Sequence, residues 1–506
     1  INELLKAPKP VEDPTHWGRP GYMDVFMGGK TSSDRYTADD GQGSKRNMAL
    51  SGLTTDGGDG TNPLTYLCMN ASLRLKTVHP GIYVRFHRGS PPELLERVAD
   101  CLRSGCIFSI YNDDVIVPSF TKLGIPLEHA RDYTPSACWE AYPQGRTNFL
   151  HNYLSVAEAL DRVLHPEIWD HADVPLYIED MDPFRGFAAT DPFGFTSYED
   201  IVAAVKGNID RLLGGYIEES ERVRKENEKR DRLYNIAPLP LFSVFVEGPL
   251  ESGKDITQGG WLYHQRMADI CGLSHVADSL AVIKKLCFED EDVCLSELLE
   301  AVRNNWQGKE SLRQFVRSRG PAYGNDIDFV DYIAADVAEF CVESIKKHCA
   351  GVPGHVIYRA AGLATFEGYT GLGRPVGATP DGRFAGEPLA DDGSPSIGRA
   401  ANGPTAALNS YTKLPLGDLP NSIIDINISA RAQLLTQLES VIESFLDKGG
   451  NVLNIVINNC DALRAAQKEP EKYADLKIRV GGFEAYFVDL GPQHQELQIR
   501  RCEQYA

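Results

Sequence analysis

Cys138 and Glu140 stand two residues apart in Ser136-Ala137-Cys138-Trp139-Glu140, within a polar loop over residues 134–146. A carboxylate this close raises a thiol's pKa, so the pair is a poor source of a thiolate nucleophile. A Cys-His hydrolase therefore fits badly, although His129 and His151 are near in sequence. A thiol kept protonated beside a general base suits hydrogen-atom transfer, in which sulfur loses H• and not H⁺. A structural cysteine would account for the same residues. Far along the chain, Ile478-Arg479-Val480-Gly481-Gly482-Phe483-Glu484-Ala485-Tyr486 sets two glycines between strand-like flanks. Glycine in a strand marks a bulge or a close backbone approach. It also lacks a Cβ, so an unpaired electron on the Gly482 Cα could flatten and delocalise into both adjoining peptide groups. The window alone leaves bulge and radical site both open.

Other motifs narrow the chemistry by exclusion. Gly248-Pro-Leu-Glu-Ser-Gly253-Lys254-Asp255 imitates a phosphate-binding loop. That loop needs Ser or Thr after the lysine to hold Mg²⁺, and the Asp255 carboxylate would repel a phosphate. No Cys-x2-Cys or His-x3-His spacing offers zinc, and no metal site is expected. A net charge of −20 over 506 residues argues against nucleic acid or an anionic membrane as partner. No apolar run approaches the roughly 18 residues of a membrane span. The 11 cysteines are odd in number and scattered, which argues for a reducing compartment and against a disulfide framework. The N-terminal Ile-Asn-Glu-Leu-Leu-Lys is no signal peptide and lacks Met. We expect a cytoplasmic protein whose chain begins mid-gene or belongs to a cut or split polypeptide.

Periodicity supplies the elements that must carry these residues. Helices are expected over residues 62–75, 92–103, 156–163, 198–235, 276–285, 295–306, 329–347, 432–446 and 462–476, with a shorter one between Pro118 and Tyr133. Strands are expected over 81–86, 241–246 and 452–457, and 478–490 reads as one strand broken by glycine. Alternating helices and buried strands indicate an α/β protein. The charge run from Glu218 to Arg232 reads as a solvated helix face.

Longer runs carry a resemblance. Asn112-Asp-Asp-Val-Ile-Val-Pro118, Leu127-Glu-His-Ala-Arg-Asp-Tyr133 and Cys138-x-Glu140 are similar, in order and spacing, to the run into the thiyl cysteine of glycyl radical enzymes. Gly253-Lys-Asp255 with Gly259-Gly260, Val276-Ala-Asp-Ser-Leu280, Thr379-Pro-Asp-Gly-Arg383, Ala385-Gly-Glu-Pro-Leu-Ala-Asp391, Gly393-Ser-Pro395 and Asn402-Gly-Pro-Thr405 resemble the same family. So does Arg479-Val480-x-Gly482-Phe483 near the chain end. The likeness runs from about Asn62 onward and is closest to the dehydratase, choline-lyase and arylacetate-decarboxylase branches.

The resemblance implies the C-terminal half of a ten-stranded α/β barrel, with Cys loop and Gly loop meeting at its centre. It divides the chain into a loop-rich segment (1–61), a barrel half (62–400) and a glycyl radical domain (401–506). Gly482 would store the radical, Cys138 would relay it and Glu140 would be the general base. The chain would bind no cofactor; a separate radical S-adenosylmethionine activating enzyme with an iron-sulfur cluster would install the radical. The implied activity is a lyase eliminating water or a neighbouring group from a small hydroxylated or amino substrate. An arylacetate-type decarboxylase and a non-catalytic partner subunit are the alternatives. Trp139 and Ala141-Tyr142 depart from the family pattern, as does Tyr263-His264-Gln265-Arg266-Met267, which makes His264 and Gln265 candidate substrate contacts and His151 a weaker one. Only 137 residues precede Cys138, where the family has several hundred. A second polypeptide would supply the first half-sheet, or the chain is part of a longer product; an oligomer is expected. An anaerobic cytoplasm is the implied setting, with a bacterial microcompartment as a second placement.

Overall fold

The computed structural model describes residues 47–75, 80–135, 140–148, 151–166, 191–229, 238–265, 267–350, 361–365, 368–430, 433–480 and 483–504. The strands are β1 (Asn47–Ser51), β2 (Gly81–Phe86), β3 (Phe108–Asn112), β4 (Tyr133–Pro135), β5 (Ala141–Pro143), β6 (His151–Ser155), β7 (Met267–Cys271), β8 (Ala361–Leu363), β9 (Asn421–Ser429), β10 (Val452–Asn458), β11 (Lys477–Val480) and β12 (Phe483–Tyr486). The helices that matter here are α1 (Pro63–Leu75), α2 (Pro92–Arg103), α3 (Asp113–Lys122), α4 (Val156–Leu164), α5 (Tyr198–Lys229), α6 (Leu273–Val282), α7 (Asp328–His348), α8 (Leu438–Asp447), α9 (Cys460–Lys468) and α10 (Pro492–Glu503). No helix among the described residues is long and apolar enough to cross a membrane.

Eight strands form one sheet in the order β1-β2-β3-β10-β9-β8-β7-β6. β1, β2 and β3 run parallel to one another, as do β10, β9, β8, β7 and β6. The two sets meet antiparallel where β3 pairs with β10. Parallel neighbours need long crossovers, and α1 and α2 supply them between β1, β2 and β3. Among the described residues there is thus one parallel set of five strands and three strands of another. This corrects the expectation that the whole first half-sheet is missing. β1 also lies inside the segment read as loop-rich, too short to show an alternation. The sheet crosses the expected boundary at residue 400, because β9 and β10 belong to it.

The two faces of this sheet differ in chemistry. On one face Ile82, Val84, Ile110, Ile424, Ile426, Leu453 and Ile455 join the main core, packed under helices. α5 shows the stripe that this packing demands, with Ile201, Val205, Ile209, Leu212 and Leu213 buried. On the other face the register lines up Tyr83, Ser109, Asn454 and Asp425 in one row. Arg85, Tyr111, Val452 and Ile423 form the next. These side chains are buried as well. A buried face of this polarity is costly unless its groups are paired or serve a ligand.

Local expectations fare unevenly. α8 ends as anticipated at Gly449, which takes φ +81°. At Gly450 a Cβ would lie 2.3 Å from the Phe445 ring, so only glycine fits. Pro118, read as preceding a helix, lies inside α3, whose start is set by Asn112 capping the Asp114 N–H at 3.2 Å. The buried strand expected over 241–246 is absent: Pro240–Ser243 is a single helical turn, and Leu241, Phe242, Val244 and Phe245 are exposed. Its apolar run has no facing layer among the described residues. The cysteines also depart from expectation, because Cys460 and Cys502 form a disulfide between α9 and α10 with Cα atoms 5.8 Å apart.

One buried cluster holds the base of the Cys138 segment. Arg85 grips Asp113 with two parallel bonds, Nε to Oδ1 at 3.0 Å and Nη2 to Oδ2 at 2.9 Å. The Tyr133 hydroxyl donates to Asp113 Oδ1 at 2.6 Å, and the Arg85 guanidinium lies 4.0 Å from the Tyr133 ring centroid. Arg85 also donates to the carbonyls of Arg131 and Tyr133, at 2.7 and 3.2 Å. Removing one member of such a pair strands the other charge, at a cost of about 3–5 kcal/mol. Asp113→Ala should lose about that much in chemical unfolding, and Asp113→Leu with Arg85→Met should recover part of it. A single variant as stable as the parent would show that the cluster does not anchor this region.

Candidate active site

β4 and β5 pair antiparallel, with Pro135 opposite Ala141. The segment carrying Cys138 therefore joins two short strands and is held at both ends. Residues 136–139, Cys138 included, lie outside the described residues. Glu140 is described and is 1% exposed. The next residue, Ala141, donates its N–H to Asn421 Oδ1 at the start of β9, at 2.9 Å. The polar inner face of the sheet thus fixes the backbone beside Glu140.

β11 and β12 correct the reading of residues 478–490 as one broken strand. They are two antiparallel strands with Val480 opposite Phe483, joined by Gly481 and Gly482, which lie outside the described residues. Both arms are apolar enough to read as a single strand in one dimension. Arg479 stands opposite Glu484 across the pair, and both are buried. Lys477 Nζ approaches Glu484 Oε2 to 3.3 Å.

Tyr111 on β3 feels both hairpins. Burial lifts its hydroxyl well above the ordinary phenol range, and the Tyr83 phenol adds to this. Arg479, three residues before Gly482, pulls the other way, while Tyr133 and Glu140 push up again. The Tyr111 ring meets Tyr83 edge-on at 5.6 Å and Tyr133 at 6.4 Å between centroids. Burial opposes the Arg479 charge, yet Tyr83, Asp425, Tyr111 and Glu484 together hold it on. Tyr111 is therefore within electrostatic reach both of Arg479 on the Gly482 hairpin and of Glu140 at the base of the Cys138 segment.

The segment around Gln265 runs beside the Cys138 hairpin. Tyr263 N–H donates to the Arg146 carbonyl at 2.8 Å, and Gln265 N–H to Asn148 Oδ1 at 2.6 Å. Tyr263 Oη and His129 Nδ1 are 2.6 Å apart, tying this segment to the helical turn before β4. Tyr263, Met267, Ala141 and Tyr111 share one buried cluster. Gln265 is fully buried, and neither its amide nitrogen nor its amide oxygen has a partner among the described residues. Asn421 Nδ2, beside the Ala141 contact, is likewise buried and unpaired among them. Unpaired buried amides of this kind cost about 1–3 kcal/mol each unless a ligand completes them. His264 is half-buried next to Gln265. His151 sits on β6 opposite Met267, and its side chain lies outside what the structure describes.

Sequence reasoning did not single out the buried acids near this face. Asp391, Asp392 and Asp425 lie close enough to share a cation, but Arg501 of α10 bonds both Asp391 and Asp425. Asn454 Nδ2 donates to Asp425 Oδ1 at 2.6 Å, and Thr365 N–H to Asp392 Oδ1 at 2.6 Å. Burial pushes the Asp391 carboxyl up to about 6, against the pull of Arg501. The positive charge that these acids need comes from the C-terminal helix, which is thereby fastened to the sheet. The pseudo phosphate loop has a local structural role. Asp255 accepts the Leu239 and Thr257 N–H groups at 3.0 and 2.9 Å and so closes its own turn.

The Gly482 hairpin should respond to pH through Glu484. Burial pushes this carboxyl up to about 7 from its ordinary 4.5, although Lys477 and Arg479 pull it down. Between those values the folded chain binds more protons than the unfolded one, so stability falls as pH rises through the window. The loss should be on the order of 3 kcal/mol and complete above about pH 7. Melting at about pH 5 and about pH 8 should show it, and Glu484→Gln should flatten that difference. An unchanged difference in the variant would assign the pH dependence to other groups.

Comparison with known proteins accords with this arrangement. Residues 30–364 match the family model described as pyruvate formate lyase-like, and residues 389–488 match that described as glycine radical. The chain is 30% identical over 471 residues to (2S)-3-sulfopropanediol dehydratase of Klebsiella oxytoca, covering 90% of this chain and 55% of that one. It is 32% identical over 477 residues to isethionate sulfite-lyase of Oleidesulfovibrio alaskensis, covering 91% and 55%. The glycerol-bound glycerol dehydratase of Clostridium butyricum superposes with a TM-score of 0.77 at 28% identity, over 90% of this chain and 56% of that one. The chain spans about 55% of the length of the curated relatives it matches. With two family models covering it in series and the sheet of a solved relative beneath them, this chain belongs to the pyruvate formate-lyase-like glycyl radical enzymes.

Proposed function

We propose that this chain is the radical-bearing part of a glycyl radical lyase, which takes hydrogen from a small hydroxylated or amino substrate and eliminates water or another neighbouring group. Gly482 stores the odd electron, Cys138 relays it to the substrate, and Glu140 is the base. Gln265 is the polar contact we favour for the substrate, with His264 and His151 beside it in this reading. The observation that supports it most is the pair of hairpin bases around Tyr111, with Glu140 and Arg479 both acting on one buried phenol. The relatives' names, a dehydratase and a sulfite-lyase, support elimination over decarboxylation. The joint presence of Gly482, Cys138 and Glu140 speaks against a silent partner subunit.

The chemistry follows in balanced steps. The Cys138 sulfur gains a hydrogen atom as a substrate C–H bond breaks, leaving the odd electron on a carbon that bears a hydroxyl. That hydroxyl is now far more acidic, and Glu140 takes its proton. The ketyl-like radical expels the neighbouring group with its bonding pair, and the proton held by Glu140 can go with it. The product radical recovers hydrogen from the Cys138 S–H, and the odd electron returns to Gly482. Water must be kept out throughout, which a buried face lined by tyrosines serves.

A separate radical S-adenosylmethionine activating enzyme with an iron-sulfur cluster is assigned the first hydrogen abstraction from Gly482. The strands that complete the barrel are assigned to a second polypeptide or to another part of a longer product. Gel filtration of this chain alone should then give a poorly behaved species, and an active, well-folded monomer would refute that assignment. An anaerobic cytoplasm, with oligomeric assembly, is the setting we favour.

Anaerobic activation of the complete barrel should give a doublet in electron paramagnetic resonance that vanishes in Gly482→Ala. Absence of any signal with a competent activating enzyme would sink the reading. Cys138→Ser should keep the doublet and abolish turnover. Glu140→Gln should lower turnover by roughly 10²–10⁴-fold with the doublet intact. Gln265→Ala should lower kcat/KM by about tenfold or more, as expected for losing a hydrogen bond to the substrate.

A further inference from the structure

Cys460 is the first residue of α9, after the Asn459 N-cap, and is half-buried. Cys502 lies near the end of α10 and is fully buried. Their sulfurs are bonded across 42 residues of sequence, and the enclosed chain contains the whole β11–β12 hairpin with Gly482. No other covalent link joins α9 to α10 among the described residues. The helices otherwise share the exposed ion pairs from Arg464 to Glu496 and Glu503, at 2.6 and 3.0 Å, and a small apolar cluster built on Leu463, Phe487 and Ile499. Exposed ion pairs add little, so the sulfur bridge and this apolar cluster are what tie the base of the hairpin together. The hairpin itself faces inward, with Ile478, Arg479 and Glu484 buried.

We propose that Cys460 and Cys502 form a redox-modification site, a dithiol that a small-molecule disulfide oxidises, and that the bridge holds the hairpin docked and out of reach of the activating enzyme. Cys460 is the entry thiol because it is the more accessible of the two. Its thiolate attacks one sulfur of the small disulfide, forms a mixed disulfide and releases one small thiolate. Cys502, having lost its proton, then displaces the second small thiol. Two protein thiols and one small disulfide become one protein disulfide and two small thiols. Reduction by the same class of thiol reverses the sequence. Oxidation would thereby withhold the radical while conditions are hostile to it, before any radical exists to be destroyed. The restraint on activation rests on the reading of Gly482; the bridge does not.

The test uses the complete barrel, kept anaerobic and treated with glutathione disulfide or with dithiothreitol. Differential alkylation read by mass spectrometry should show Cys460 and Cys502 protected together after oxidation and both alkylated after reduction. Hydrogen exchange at the amides of 477–480 and 483–486 should slow at least tenfold in the oxidised form. The activated radical yield should fall at least tenfold on prior oxidation and return on reduction, and Cys502→Ser should lose that dependence. Two cysteines that alkylate independently after oxidation, or exchange equal in the two forms, would overturn the proposal without recourse to any variant. Protected cysteines and slowed exchange with no radical in either form would uphold the docking bridge and overturn the role of Gly482.

Discussion

The antiparallel meeting of β3 with β10 is the constraint on which the rest of this structure depends. Chain leaving the C-terminal end of β3 leads through α3 to the Cys138 segment, and chain leaving β10 leads through α9 to the Gly482 hairpin. Because the two strands run in opposite directions, these segments depart from opposite ends of the sheet. Each can then return to the same inner face without competing for the same space. Tyr111, near the C-terminal end of β3 and opposite Val452 at the start of β10, sits where their influences overlap. A parallel pairing at this one junction would send both segments out at the same end.

A polar face can stay buried only if its charges are met, and the chain does this with three arginines drawn from separate places. Arg85 on β2 neutralises Asp113, Arg501 on α10 neutralises the acids of β9 and the preceding loop, and Arg479 sits among Tyr83, Asp425 and Glu484. Buried pairs of this kind add little over a packed apolar substitute, but losing one partner is expensive. Their effect is to make wrong arrangements costly. Each fastens a functional segment to the sheet: Arg85 the root of β4, Arg501 the C-terminal helix, Arg479 the hairpin.

Beside these paired charges stand the open amide of Gln265 and the unpartnered Nδ2 of Asn421, among the described residues. Elsewhere on the face Asn454 donates to Asp425, while the Ser109 hydroxyl and the Asn454 amide oxygen have no partner among the described residues. Gln265 differs from these in that both its amide nitrogen and its amide oxygen are open among the described residues. An amide can both donate and accept, which suits a hydroxyl better than a purely ionic headgroup.

The one-dimensional pattern determined which residues could do chemistry and most of the helices that carry them. Local rules suffice there: an apolar stripe defines α5, an asparagine cap starts α3, and a glycine at positive φ ends α8. Residue type left Cys138 and Gly482 open between structural and chemical readings, and the resemblance carried by the longer runs singled them out with Glu140 as candidates. Sheet membership was far less legible. β9, the longest strand, mixes asparagine, serine and aspartate with isoleucine, since one of its faces looks onto the buried polar interior. The apolar run at 241–246 failed in the opposite sense, because hydrophobicity states a preference for burial and cannot say whether a covering layer is present. Only the tertiary structure decided that Gly481 and Gly482 join two strands, that Arg501 serves Asp391, and that Cys460 meets Cys502. Those pairings span up to 110 residues, and nothing local in the chain encodes which distant partner will arrive.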